Sequence, residues 1–281
     1  MIENILRAMG ISTTMDNIQK IQTEHRISLI QFWGIPRGAR VLEIGCGQGD
    51  TLAALAFCVG ESGFVHGVDI ADENYGAPET LGQARERLLH SELGEHISID
   101  LNFDILDETV AFQSQEFDYI VLSHCLWYLS SYDELKRILK RIKPWGKFLC
   151  LAEWNPSIEF SEQLPHLKAV TVQATCECFK ENSESNVRTL FYPKDIEKAM
   201  IESGWLVEET GNIYSPELQD GKWEVDTTLS MYTTEIQKLY NMPDKLKQLL
   251  AAEIEELKEV KEIKPLSVFC IRGINDNALS K

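Results

Sequence analysis

A chain of 281 residues, 44% of them hydrophobic, has enough apolar material to bury one large core, so disorder is not its default and one elaborated domain is expected. Its formal net charge of −17 argues against nucleic acid or an anionic membrane as a partner, because both draw affinity from clustered Lys and Arg. No basic-then-apolar leader opens the chain and no apolar stretch reaches the ~18 residues of a membrane span, so a cytoplasmic protein is expected.

The 17 glycines and 9 prolines are scattered singly, no repeat recurs at a fixed period, and the one markedly polar stretch is residues 180–186. Of the seven cysteines, Cys46, Cys58, Cys125, Cys150 and Cys270 sit in apolar segments, as reduced thiols used as small hydrophobes do. Cys176 and Cys178 are too close in sequence for a zinc pair, and His90 and His96 have no partners at ligand spacing, so no metal is expected.

In chain order, Ile18, Ile21 and Phe32 suggest an N-terminal helix. Residues 41–44 form a short β-branched and aliphatic run that ends in Gly45-Cys46-Gly47-Gln48-Gly49. Leu52, Leu55, Ala56 and Val59 then recur at helical spacing, with Asp50 as the expected N-cap and Gly60 as the stop. The alternation repeats: a strand at 64–68 ending at Asp69, a helix marked by Leu81, Ala84, Leu88 and Leu89, and a third strand from Ile97, Ile99, Leu101 and Phe103. A fourth strand at 119–122 precedes a helix with Leu135, Ile138, Leu139 and Ile142 on one face and Ser131 with Glu134 as its capping box. Residues 144–146 turn the chain into a fifth strand at 147–151. Beyond it come a helix with Ile196, Ala199 and Met200, a long amphipathic helix carrying Leu246, Leu249, Leu250, Ile254 and Leu257, and a last core segment at 266–271.

Strands alternating with helices imply right-handed crossovers and a mostly parallel sheet covered on both faces. Ligands of such sheets lie beyond the carboxyl ends of the strands, so chemistry is to be sought at residues 45–49, Asp69, Asp104, residues 123–128 and residues 153–155.

The three glycines remove side chains where a ligand must lie against backbone, and the helix behind them offers free N–H donors. A tight turn needing glycine's freedom would explain part of this by itself. In a dinucleotide-binding Gly-x-Gly-x-x-Gly the last glycine falls on Asp50, and an acid there points away from pyrophosphate.

With Glu43-Ile44-Gly45-Cys46-Gly47-Gln48-Gly49, Asp69, Phe103-Asp104-Ile105 and the strand Phe117-Asp118-Tyr119-Ile120-Val121-Leu122-Ser123, the chain resembles the class I S-adenosylmethionine-dependent methyltransferases, over about residues 40–151. The small-molecule group that includes quinone-biosynthesis enzymes is the nearest likeness. The resemblance implies S-adenosylmethionine as cofactor and S-adenosylhomocysteine as product. It implies that Glu43 orients the glycine loop and the methionine ammonium, that Gly45, Cys46, Gly47, Gly49 and Ser123 lie along the cofactor, that Asp69 binds ribose, and that Ile70, Asp104 and Ile105 hold adenine. Residues 71–78 exceed the family's usual short turn, which puts the adenine edge in doubt.

The implied fold is α/β, a Rossmann-like, doubly wound, mostly parallel seven-stranded sheet with helical insertions forming a lid. Within a single domain of residues 1–281, residues 1–35 form an N-terminal helical segment and 36–155 the cofactor-binding core. Residues 156–190 and 214–264 are the lid insertions, and 191–213 and 265–273 complete the core.

Methyl transfer from a sulfonium needs mainly alignment and exclusion of water. The segment after the fourth strand lacks the Asn or Asp followed by Pro-Pro and an aromatic of enzymes that methylate DNA bases, which favours a small-molecule acceptor. His124 and Glu153 are the candidate catalytic residues, although a packed strand-end histidine reads the same way. His25, Trp127, Tyr128, Trp154 and Trp223, with Glu224 beside it, are the candidate acceptor pocket. Two other readings compete: an NAD(P)-dependent oxidoreductase, and a cofactor-binding domain that regulates without turnover. The long helix also offers a homodimer surface.

Overall fold

The computed structural model describes residues 1–11, 17–183 and 185–276. One residue of the polar stretch 180–186, Glu184, lies outside them. Two helices open the chain, α1 (Ile2–Ala8) and α2 (Asn17–Trp33). The alternating part follows as β1 (Arg40–Ile44), α3 (Asp50–Val59), β2 (Phe64–Val68), α4 (Leu81–Leu89), β3 (Ile97–Asp100), β4 (Phe117–Ser123), α5 (Tyr132–Ile142) and β5 (Gly146–Trp154). Then come α6 (Leu164–Glu177), α7 (Pro193–Glu202), β6 (Trp205–Ile213), α8 (Asp220–Thr227), α9 (Thr233–Lys238), α10 (Asp244–Lys258) and β7 (Val268–Asn275).

The sheet has seven strands in the order β3-β2-β1-β4-β5-β7-β6. β1 pairs in parallel with both β2 and β4, while β7 runs antiparallel between β5 and β6. The expected doubly wound, mostly parallel sheet is therefore the observed one, and its order reverses between β1 and β4, where open α/β sheets bind ligands. Val41, Leu42, Ile120, Val121, Leu149, Cys150 and Leu151 are at most 1% exposed, as central strands covered by helices on both faces require. Two small clusters stand apart from this core; the larger joins Val172 and Cys176 of α6 to Tyr232, Ile236 of α9, and Leu250 and Ile254 of α10.

Several local expectations are corrected. Gly49, not Asp50, is the N-cap of α3, because the chain enters the helix from the left-handed region (φ 85°) that glycine tolerates; Asp50 is the first helical residue and favours the helix dipole instead. β3 stops at Asp100, since Asn102 takes a positive φ of 54° and bonds its N–H to Ala71 O, which leaves Leu101 and Phe103 outside the ladder. At α5 the Ser131 hydroxyl accepts from the Glu134 N–H at 3.1 Å, but the Glu134 carboxylate reaches to Ser130 rather than closing the box on Ser131. A full capping box is found instead at α4, between Thr80 and Gln83. On α10, Leu249 points to solvent while Leu250, Ile254 and Leu257 are buried. On α2 the buried face carries Gln22, Thr23, His25, Leu29 and Trp33, whereas Ile18 is exposed. The helix does two jobs: Ile27, Leu29, Ile30 and Trp33 pack into the core, while Gln22, His25 and Arg26 line a cavity.

Candidate active site

All three turn glycines have positive φ, at 74°, 52° and 85° for Gly45, Gly47 and Gly49. Gly45 abuts the loop after β4, where a Cβ would come within 2.8 Å of Cys125 Cβ. Gly47 differs: a Cβ there would meet nothing within 4 Å, so the turn presents bare backbone to open space. The turn is held by Asp69, whose carboxylate accepts the Gly47 N–H at 2.8 Å and the Ala71 N–H at 2.9 Å. The long loop between β2 and α4 leans on the same turn through Gln48 Nε2, which donates to Glu79 O at 2.8 Å.

Glu43 lies beneath, 2% exposed, with Oε2 buried and without a partner. Burial pushes its carboxyl well above the usual carboxylate range, against the pull of Arg26. A buried orphan acid oxygen beside a backbone cradle suits a cationic ligand group. Ser123 Oγ, at the end of β4, is likewise buried and unpartnered. Ile105 is buried, while Ile70 is 68% exposed and Asp104 lies exposed at the rim with its carboxylate accepting the Leu106 N–H. Cys46 is buried, and burial drives its thiol up, as it does that of Cys125, so neither is a ready nucleophile.

A cavity of about 360 Å³ lies beyond the ends of β4 and β5, under α2 and α8. It brings together all seven residues singled out for acceptor and catalysis: His25, His124, Trp127, Tyr128, Glu153, Trp154 and Trp223. Sequence reasoning missed Gln22, Arg26 and Asp220, which also line it. A signal for Asp220 existed, since it stands three and four residues before Trp223 and Glu224 on one helix face.

His124 adopts φ 53°, which a non-glycine residue keeps only when its surroundings hold it there. Its N–H donates to Ala152 O at 2.9 Å, and its Nε2 sits 3.1 Å from His25 Nε2. One ring therefore donates and the other accepts. His25 Nδ1 continues the chain to Ser215 Oγ at 2.9 Å, and Glu153 Oε1 stands 3.7 Å from His124 Nδ1. Glu153, 1% exposed, accepts the N–H groups of Leu126 and Trp127 on Oε2 and that of Trp154 on Oε1.

Burial, then the neighbouring His124 and Arg26, lower His25 to about 2; burial alone lowers His166, whose Nδ1 accepts the Leu266 N–H, to about 3. The unfolded chain protonates these histidines near 6.5 while the folded chain does not, so stability is present above pH 6.5 and lost as pH falls from there toward 3. Each contributes a slope of about 1.4 kcal/mol per pH unit in that window. His25→Asn and His166→Asn are each expected to flatten the wild-type dependence by that amount in urea unfolding between pH 6 and 4. An unchanged slope would show that the ring is protonated in the folded protein.

The methyltransferase-domain family matches residues 19–210. Demethylmenaquinone methyltransferase of Staphylococcus aureus is 26% identical over 166 residues, covering 55% of this chain and 62% of the relative, so the match spans under two thirds of that protein. A cyclopropane-fatty-acyl-phospholipid synthase-like protein from Lactobacillus casei is 31% identical, superposes with a TM-score of 0.87, and shares 97% of this chain and 98% of its own. Magnesium protoporphyrin IX methyltransferase from Synechocystis, solved with bound S-adenosylhomocysteine, shares the fold at 12% identity and a TM-score of 0.52, over 98% of this chain and 93% of that one.

Proposed function

The chain belongs to the methyltransferase-domain family, and on that premise we propose that it is an S-adenosylmethionine-dependent methyltransferase whose acceptor is a small molecule seated in the 360 Å³ cavity. The observation that carries this reading is the buried Glu43 carboxylate, with its orphan oxygen, at the foot of a glycine turn whose Gly47 faces open space. A pyrophosphate would meet that acid and Asp50 with like charge, whereas the ammonium of a methionine moiety would pair it. Asp69 and the rim residues Ile70, Asp104 and Ile105 would hold the nucleoside end, and Ser123 would flank the methionine end. When bound, the cofactor supplies an electrophilic methyl carbon on a sulfonium.

What remains for the chain is to align an acceptor, exclude water and receive a proton. Trp127, Trp154 and Trp223 wall the cavity, and α2 and α8 close it from above as a lid. His124, held in place by its neighbours, receives the acceptor's proton where the acceptor must lose one. Glu153 has its lone pairs committed to three backbone donors, so it acts as a positioning residue that fixes the His124 loop. No helix among the described residues is long and apolar enough to cross a membrane. The net charge of −17 supports a diffusible acceptor over nucleic acid, and seven cysteines without a disulfide among them support a reducing, cytoplasmic setting.

Thermal unfolding tests the reading. S-adenosylmethionine or S-adenosylhomocysteine at ~100 times its dissociation constant should add about 2.7 kcal/mol. That corresponds to an upward shift of roughly 5 °C. A response to NAD(P)H alone, or none to the sulfonium pair, would sink it.

A further inference from the structure

The wall of the cavity made by α8 lies outside the family-matched residues 19–210, so what it recognises has to be read from this chain's own side chains. Asp220, Trp223, Glu224 and Thr227 fall at i, i+3, i+4 and i+7 of that helix and all line the cavity. Neither acid has an ion-pair partner among the described residues, although Arg26 and His124 act on Asp220 from a distance. Glu224 accepts from the neutral amide of Gln173 at 2.7 Å, and Asp220 has no ion pair among the described residues. Burial raises both carboxyls above their usual range, which an incoming cation would relieve. The cavity's own arginine is largely engaged, with Arg26 Nη2 3.1 Å from Asp50 and Nη1 3.3 Å from Gln22, although its Nε is buried without a partner.

A second, independent feature points to a ligand. Trp127 is 4% exposed, forms part of the cavity wall, and its Nε1–H is buried with no acceptor. Indole faces attract cations through their quadrupole, and Trp154 and Trp223 stand on the same cavity. A neutral or anionic ligand would leave the two carboxylates desolvated and unpaired, which is costly.

We propose that the cavity recognises an acceptor carrying a positively charged amine, held between the carboxylates of Asp220 and Glu224 and the tryptophan faces, with a hydrogen-bond-accepting oxygen of the same molecule on Trp127 Nε1. This rests on the methyltransferase reading given above and names the acceptor class for it.

The test is calorimetric titration of the full chain, saturated with S-adenosylhomocysteine, with three probes of one frame and different charge: tyramine, tyrosol and 4-hydroxyphenylacetate. Tyramine should bind about tenfold tighter than tyrosol, with the anion weakest. In the double variant Asp220→Asn/Glu224→Gln that preference should vanish while affinity for S-adenosylhomocysteine is kept, which also reports that the variant is folded. Equal or better binding of tyrosol or of the anion, no tyramine binding at millimolar concentration, or a preference that survives the double substitution would each overturn the proposal. So would a selective loss of S-adenosylmethionine over S-adenosylhomocysteine in that variant, since the acids would then serve the sulfonium. If the wild-type protein fails to bind S-adenosylhomocysteine, the methyltransferase reading falls, and the same three titrations without it still report the charge preference.

Discussion

Asp69→Ala is expected to lower affinity for S-adenosylhomocysteine by two orders of magnitude or more. Its two carboxylate oxygens hold the Gly47 and Ala71 N–H groups at 2.8 and 2.9 Å, so the residue shapes the cradle in addition to the ribose contact proposed for it. Hydrogen bonds to an ionised group contribute about 1.5–3 kcal/mol each, and the substitution removes both turn contacts along with the ligand contact. Asp69 is only partly buried at the end of β2, so the fold should survive. Asp69→Asn keeps one acceptor and should lose less, on the order of tenfold. Calorimetric titration checks both variants; unchanged affinity in Asp69→Ala would reduce this residue to a turn acid and remove the ribose assignment.

The largest stability loss is expected at Glu153. Its side chain accepts three backbone N–H groups inside the protein, and Glu153→Ala leaves all three buried without an acceptor. At about 1–3 kcal/mol per orphaned donor, the loss is roughly 3–9 kcal/mol, a large part of the total stability of an ordinary domain. Glu153→Gln keeps one oxygen for Leu126 and Trp127 but sets an amide against the Trp154 N–H, so about 1–3 kcal/mol is expected. Urea unfolding measures both. A loss under about 1 kcal/mol in the alanine variant would mean that the 124–128 loop finds other partners, and the positioning role would fall with it.

The strand ends that carry the site are legible in the sequence because each signal is local. Short apolar runs place β1, β2, β4 and β5, apolar residues recurring at 3.6 place α3 and α5, and the spacing from Glu43 to Gly49 places the turn. Boundaries are less legible. Nothing around Leu101 and Phe103 announces that Asn102 leaves the strand to bond Ala71 O, and Asp50 yields the cap to Gly49 through a backbone angle that no side-chain pattern encodes. Leu249 belongs by spacing to the apolar face of α10, yet the partners of that helix, α6, α8 and α9, cover the row of Leu246, Leu250, Ile254 and Leu257 and leave Leu249 outside it.

By itself, then, the sequence determined the order of strands and helices, the glycine turn, the acid within β1 and the acid after β2, since hydrophobic period and glycine's steric freedom act between near neighbours. Only the tertiary structure decided that His25 meets His124 and Ser215, and that Arg26 and Asp220 look into one cavity. The residues of that cavity come from α2, the ends of β4 and β5, and α8, segments far apart along the chain. A polar residue such as Gln22, Arg26 or Asp220 reads as a solvated helix face until another element is laid over it, and burial by a distant element is a property of packing that no local pattern carries.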